Sequence, residues 1–212
     1  MIELVVISRD DEPERLVAIW AEADRLGLPL RRHSVPDDRP VDLSDHRDVW
    51  VGISEGDSRF SVVVTDAVSL DDALLPLLDE PFLERALEPA FFVKLDEPSD
   101  EDDEDRPRLV FPLRSAEGFE AYLVSREGAA ILANASGADV SQAVAAASRR
   151  ALTAYSLLPA PMGMAAEGRR GGGAIERAGR TLQRVRGRLL GRTIYLPLGP
   201  PSDATPPTSI SA

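Results

Sequence analysis

The chain has no cysteine. Disulfides, thiolate-held metals and cysteine nucleophiles are therefore excluded from the outset. Lysine is almost missing as well: Lys94 stands alone among 24 basic residues, the other 23 being arginine. This bias reads as codon usage or a salt-adapted acidic surface rather than as chemistry. No apolar run approaches the roughly 18 residues that a membrane span needs. The opening "MIELVVISRDD" lacks the basic and long apolar regions of a signal peptide. The expected location is cytoplasmic.

What is present is an ordinary globular composition, 212 residues of which 43% are apolar. This length fits one domain with appendages, or at most two small ones. Charge is unevenly spread within the net −12. Residues 161–212 hold eight arginines and three acids, a net +5, whereas residues 1–160 hold 16 cations and 33 acids, a net −17. A basic end on an acidic body points to a charged partner.

"IELVVIS" (2–8) has the length of a strand, and Pro13 suits a first helical turn. Leu16, Val17, Ile19, Trp20, Ala23 and Leu26 then recur at helical spacing up to Gly27. With "LPLRRHSV" (28–35) as a second strand, this is a βαβ unit and hence a parallel pair. "DVWVGIS" and "RFSVVVT" flank "EGDS" as in a hairpin. Ser69 and Asp72 form a capping pattern before a segment that Pro76 and Pro81 divide into two short helices.

"AFFVKL" (90–95) is a further strand, and the acid run "DEPSDEDDEDRPR" (96–108) reads as an exposed, mobile loop. "RLVFPL", "FEAYLVS" and "AAILANA" read as an antiparallel meander. Asp139 and Gln142 cap a helix with Val140, Val144, Ala147, Ala151 and Tyr155 on one face. The expected fold class is α/β, with mixed α+β open: a mixed parallel and antiparallel sheet with flanking helices, plus a C-terminal basic amphipathic helical arm. The expected division is an acidic domain over 1–158, then 159–212. The latter comprises a Gly/Pro hinge, a basic helix (174–190), a strand-like segment (192–198) and a disordered Pro/Ser/Thr tail.

No catalytic motif passes its context test. "GISEG" (52–56) matches the G-x-S-x-G elbow, but both histidines, His33 and His46, precede Ser54, and strand rather than helix is expected after it. "GAIERAGRT" (173–181) has five residues between its glycines and Arg180 where a Walker loop needs lysine. His33, Asp37, Asp38 and His46 fit no metal spacing, so no metal and no cofactor is expected.

Asp10 and Asp11 after the first strand, Asp66 closing "SVVVTD" and Lys94 in "FFVKLDEP" together resemble a response-regulator receiver. The resemblance implies an acidic pair for Mg²⁺, a phosphate-accepting aspartate and a reporting lysine. A helix is missing before the Asp66 strand, however, and Lys94 follows it too soon. "VVISRDDE" with Glu84 of "FLERAL" resembles a TIR domain, which implies a glutamate acting on the nicotinamide ribose of NAD. The second-half meander does not belong to that fold.

The basic segment carries the strongest pattern. On a helical projection Ile175, Ala178, Leu182, Val185 and Leu189 fall within an arc of about 80°, opposite Arg177, Arg180, Arg184 and Arg188. Gly179 and Gly187 each cost about 1 kcal/mol relative to alanine, so the helix needs a surface to fold against. "RTIYLPL" (192–198), with Tyr195, is a strand able to extend a sheet edge.

The leading expectation is thus a non-enzymatic interaction protein, an accessory or scaffold subunit of a larger assembly. It would bind a protein partner or sister subunit through Arg177, Arg180, Leu182, Arg184, Val185, Arg188, Leu189 and Tyr195. The competing expectations are a nucleotide- or NAD-handling enzyme or signalling domain with acids at its strand ends, and a nucleic-acid-binding protein using the arginine-rich tail. A membrane surface is the least favoured partner, because the apolar stripe has no Trp or Phe.

Overall fold

A computed structural model of the chain describes residues 1–9, 13–36, 38–68, 70, 72–96, 108–113, 118–158 and 192–196. It is an α/β structure built on one mixed sheet of eight strands with helices on both faces.

Strand β1 (Ile2–Arg9) lies in the interior of the sheet, and Leu4, Val5, Val6 and Ile7 are all buried. A strand covered on both faces reads as a continuous apolar run rather than an alternation. Helix α1 (Pro13–Arg25) follows, with Ile19 and Ala23 inward. It stops where the sequence indicates. Gly27 adopts φ +68, its N–H reaches the carbonyl of Asp24, and the N–H of Leu28 reaches that of Ala23. This pair of bonds needs a left-handed residue, which glycine supplies without a Cβ clash. Strand β2 (Leu30–Val35) then pairs parallel to β1, completing the expected βαβ unit.

The next segment departs from expectation. "DVWVGIS" is not the first arm of a hairpin but part of helix α2 (Leu43–Glu55). Asp42 accepts the N–H of Ser44 while the Asp45 carboxylate accepts that of Asp42, a reciprocal cap. Leu43, His46, Val49, Trp50 and Ile53 bury one face at helical spacing. Burial of that stripe overrides the strand preference of Val49, Trp50 and Val51. Strand β3 (Phe60–Thr65) is therefore entered from a helix and pairs parallel to β1. Ser54 sits in the last turn of α2, donating to the carbonyl of Val51.

Pro76 and Pro81 divide their segment as expected, into a 3₁₀ turn (Asp72–Leu77) and helix α3 (Glu80–Ala86) capped by Asp79. Strand β4 (Phe91–Lys94) follows. The meander is not formed. Strands β5 (Arg108–Phe111) and β6 (Ala121–Ser125) are not neighbours: β6 inserts antiparallel between β3 and β4. "AAILANA" falls largely in helix α4 (Arg126–Ala133), because Ser125 Oγ accepts the N–H of Gly128 and caps it. Helix α5 (Val140–Ser148) ends before Ala151, and Tyr155 belongs to strand β7 (Thr153–Leu158), not to the helix face expected to carry it.

Strand β8 (Arg192–Tyr195) pairs antiparallel with β5, at the edge of the sheet. The full order is β2-β1-β3-β6-β4-β7-β5-β8. Leu4, Val6, Val62, Val64 and Val93 face α1, the 3₁₀ turn and α3. Val5, Ile7, Val63, Phe92 and Tyr122 face α2, α4 and α5.

The chain leaves β1 toward β2 across one face and returns to β3 across the other, so the strand order reverses between β1 and β3. The carboxyl ends of β1, β2, β3 and β4 and the start of β6 lie at one end of the sheet.

The cap of α2 gives a first test. Asp42→Ala should lower stability by about 1 kcal/mol, the usual worth of an N-cap. Asp45→Ala should cost more, since it removes both the acceptor of the Asp42 N–H and the buried carboxylate that Arg39 grips with two nitrogens. Urea denaturation of both variants checks the order.

Candidate functional site

A cleft of about 360 Å³ opens at that carboxyl end. One wall is the first turn of α2, with Asp42, Leu43 and His46. The floor is Thr65 at the end of β3 together with Gly118, Phe119 and Glu120 leading into β6. The far wall is the first turn of α5, with Asp139, Val140 and Ser141. Open α/β sheets hold ligands outside the carboxyl ends of their strands, where the strand order reverses.

Each wall has a local cause. Gly118, at φ +62, turns the chain into β6 in a backbone region that favours glycine. The N–H of Glu120 donates to Asp96 Oδ2 at 2.9 Å, and Thr65 Oγ1 donates to Glu120 Oε2 at 2.6 Å. Glu120 is thereby held by two strands at once. Its Oε1 has no hydrogen-bond partner among the described residues. Asp42 and Asp139 are N-caps, with oxygens turned to the first turns of their own helices.

His46 is buried, and its Nδ1 lies 2.9 Å from Tyr122 Oη. Trp50 Nε1 donates to the same oxygen at 3.0 Å. Burial pushes the His46 pKa down to about 4, so the ring is neutral at physiological pH. The Tyr122 hydroxyl is raised far above its ordinary range, also by burial.

Beneath the floor lies the chain's one lysine. Lys94 is only 1% exposed, with Nζ 4.0 Å from Asp96 Oδ1 and 5.4 Å from the centroid of the Phe119 ring. Asp96 Oδ1 accepts no hydrogen bond among the described residues, and burial, opposed by Lys94, pushes its pKa up to about 6.

Of the strand-end residues singled out from sequence, Asp66, Lys94 and Glu84 are among the described residues, and they are not brought together. Asp66 accepts the N–H of Arg9 at 3.1 Å and so ties the ends of β3 and β1. Glu84 pairs with Arg59, just before β3, at the opposite end of the sheet. Glu84 is thereby held at the end of the sheet opposite Asp66, the strand-end acid that lies among the described residues. The receiver-like pairing of Asp66 with Lys94 is interrupted by β6 standing between their strands.

His33 Nε2 is 3.6 Å from Asp45 Oδ1 whereas His46 turns to Tyr122. No group of three metal-binding side chains occurs among the described residues. Tyr195 lies in β8 opposite Arg108, 45% exposed. Asp10, Asp11, Arg177, Arg180, Leu182, Arg184, Val185, Arg188 and Leu189 lie outside the described residues. Thr65, Glu120 and the Trp50–Tyr122–His46 group were missed from the sequence. Only the i, i+4 spacing of His46 and Trp50, once read as helical, would have pointed there.

No family model and no curated protein matches the chain. Among solved structures it is similar to a mutant Drosophila β1,4-galactosyltransferase 7 in complex with manganese, UDP-galactose and xylobiose. The identity is 10%, the coverage 82% of this chain and 79% of that one, and the TM-score 0.43. It is also similar to a glycosyltransferase involved in glycosylating the major capsid of PBCV-1, at 7% identity, 62% and 65% coverage and a TM-score of 0.33.

The expectation of a non-enzymatic accessory or scaffold protein is corrected here. Both of these solved structures are enzymes. Similarity this distant assigns neither substrate nor mechanism to the present chain. No helix among the described residues is long and apolar enough to cross a membrane.

Two buried groups set opposite pH dependences. Asp96 titrates near 6 in the folded chain against 3.8 when exposed, so its contribution favours folding below pH 4 and opposes it above pH 6. His46 titrates near 4 against 6.5, so it supports folding fully above pH 6.5 and opposes it as pH falls toward 4. Each is worth roughly 3 kcal/mol, and the two nearly cancel. Asp96→Asn should therefore leave a stability that rises between pH 4 and 6.5. His46→Gln should leave one that falls over nearly the same window. Urea midpoints across that range read both slopes.

Proposed function

We propose that the chain is an enzyme whose site is this cleft, and that the cleft takes an uncharged, hydroxyl-rich group: a sugar, or the ribose of a nucleoside. One observation carries this reading. The lining holds three carboxylates, Asp42, Glu120 and Asp139, and no cationic side chain among the described residues. Carboxylates accept from hydroxyl donors and repel phosphate. Lys94 does not alter the balance at the surface, since Phe119 lies against it and it is buried. Phe119 also supplies an apolar surface for a ring face.

Within this reading Glu120 is the working acid–base group. Thr65 and the Asp96-anchored backbone orient it, and its second oxygen is open to a substrate hydroxyl. Taking the proton of that hydroxyl is a general-base role suited to transfer chemistry. The expected nucleotide- or NAD-handling activity is retained only in its ribose.

The test is thermal melting and calorimetry with glucose, galactose, mannose, uridine and adenosine, alongside UDP and NAD. A neutral member of the set should bind, and Glu120→Gln should weaken it at least tenfold without lowering the melting temperature. Binding of none of these compounds would overturn the reading. Binding of UDP or NAD without their nucleosides would overturn its neutral-ligand part.

A further inference from the structure

The hydrogen-bond inventory around Tyr122 determines where the proton of His46 sits. Tyr122 Oη is fully buried and has two neighbours among the described residues, Trp50 Nε1 and His46 Nδ1. Indole nitrogen only donates, so Trp50 uses a lone pair of the phenol oxygen. The phenol proton then has a single acceptor within reach, His46 Nδ1. If Nδ1 carried a proton instead, two donors would face Tyr122 Oη and the phenol hydrogen would be left without a partner in a dry site. That costs about 1–3 kcal/mol. The imidazole is neutral, so its one proton is on Nε2. Nε2 has no partner among the described residues, nor is it among the sealed, unpartnered buried atoms. It therefore retains access to the cleft that His46 lines.

We infer that the Trp50–Tyr122–His46 chain locks His46 as the Nε2–H tautomer and presents this N–H to the cleft as a fixed hydrogen-bond donor. Its complement is an uncharged acceptor oxygen on the ligand, a hydroxyl, ring or carbonyl oxygen. The inference deepens the reading of the cleft as a site for a hydroxylated ligand. Carboxylates alone would accept from hydroxyl protons in many orientations. One directional donor among them discriminates between arrangements of hydroxyls, because each hydroxyl must either give or receive. His46 is thus a specificity-determining residue.

The experiment is long-range proton–nitrogen correlation on the full chain labelled with ¹⁵N-histidine, in the absence of ligand. Only two histidines are present, and His46→Gln assigns the pair. His46 should show a protonated Nε2 and an unprotonated Nδ1, unchanged from pH 6 to 8. A protonated Nδ1, or averaged nitrogens, would overturn the lock. Tyr122→Phe should release it to averaged tautomers. Should that variant not fold, Trp50→Phe, which spares the Tyr122–His46 bond, should retain Nε2–H, and a switch to Nδ1–H would count against the relay.

Access to the cleft is read with the neutral nitroxide 4-hydroxy-TEMPO, whose oxygen is an acceptor. It should broaden the His46 Nε2 proton and not the amide of Val63 inside the sheet. An unbroadened Nε2 proton would show that the donor is sealed and would overturn its role. Because no substrate is used, these outcomes are separate from success or failure of the binding panel above.

Discussion

A single buried hydroxyl constrains much of this molecule. Tyr122 Oη sits at zero exposure in the middle of the sheet, where leaving it unpaired would cost about 1–3 kcal/mol. Both of its partners come from α2, one turn apart, so satisfying the phenol pins that helix across β6. Phe92 stacks on the Tyr122 ring with centroids 4.9 Å apart and fixes the phenol from the neighbouring strand. Helix α2 is also the connection that brings the chain back from β2 to β3. Fixing its position fixes its first turn, and with it the wall formed by Asp42, Leu43 and His46.

The floor of the cleft depends on the antiparallel insertion of β6. That strand enters between β3 and β4 so that Thr65 meets Glu120 and the Glu120 backbone meets Asp96. The arrangement places a carboxylate with one open oxygen at the strand ends, above a buried lysine and a carboxyl raised by burial. Perturbed groups gathered at a cleft are the usual mark of a functional site. In this chain they lie at the carboxyl ends of β3 and β4 and the start of β6, the end of the sheet at which α/β folds bind ligands.

The sequence made part of this legible. β1, α1 with its glycine stop, β2 and the proline-divided helices follow from local patterning and stereochemistry, and they appear where expected. Local preference misled where tertiary burial decides. "DVWVGIS" has the residues of a strand, yet the Asp42/Asp45 cap and an apolar stripe make it a helix. "AAILANA" has short apolar residues that suit either state, and Ser125 decides for the helix.

The site was harder to see than the fold. Thr65 and Glu120 are 55 residues apart, and only the β3–β6 pairing joins them. Charge asymmetry drew attention to an arginine-rich segment that lies outside the described residues. The candidate cleft is lined instead by Asp42, His46, Glu120 and Asp139, side chains that no short motif connects.

The most direct measurement is a map of backbone amide shifts during titration of the full chain with neutral sugars and nucleosides. The account predicts saturable changes confined to residues 41–43, 46, 65, 118–120 and 138–141, the lining of the cleft. Saturable changes centred on the β8 edge or on α3, with the lining unmoved, would contradict it.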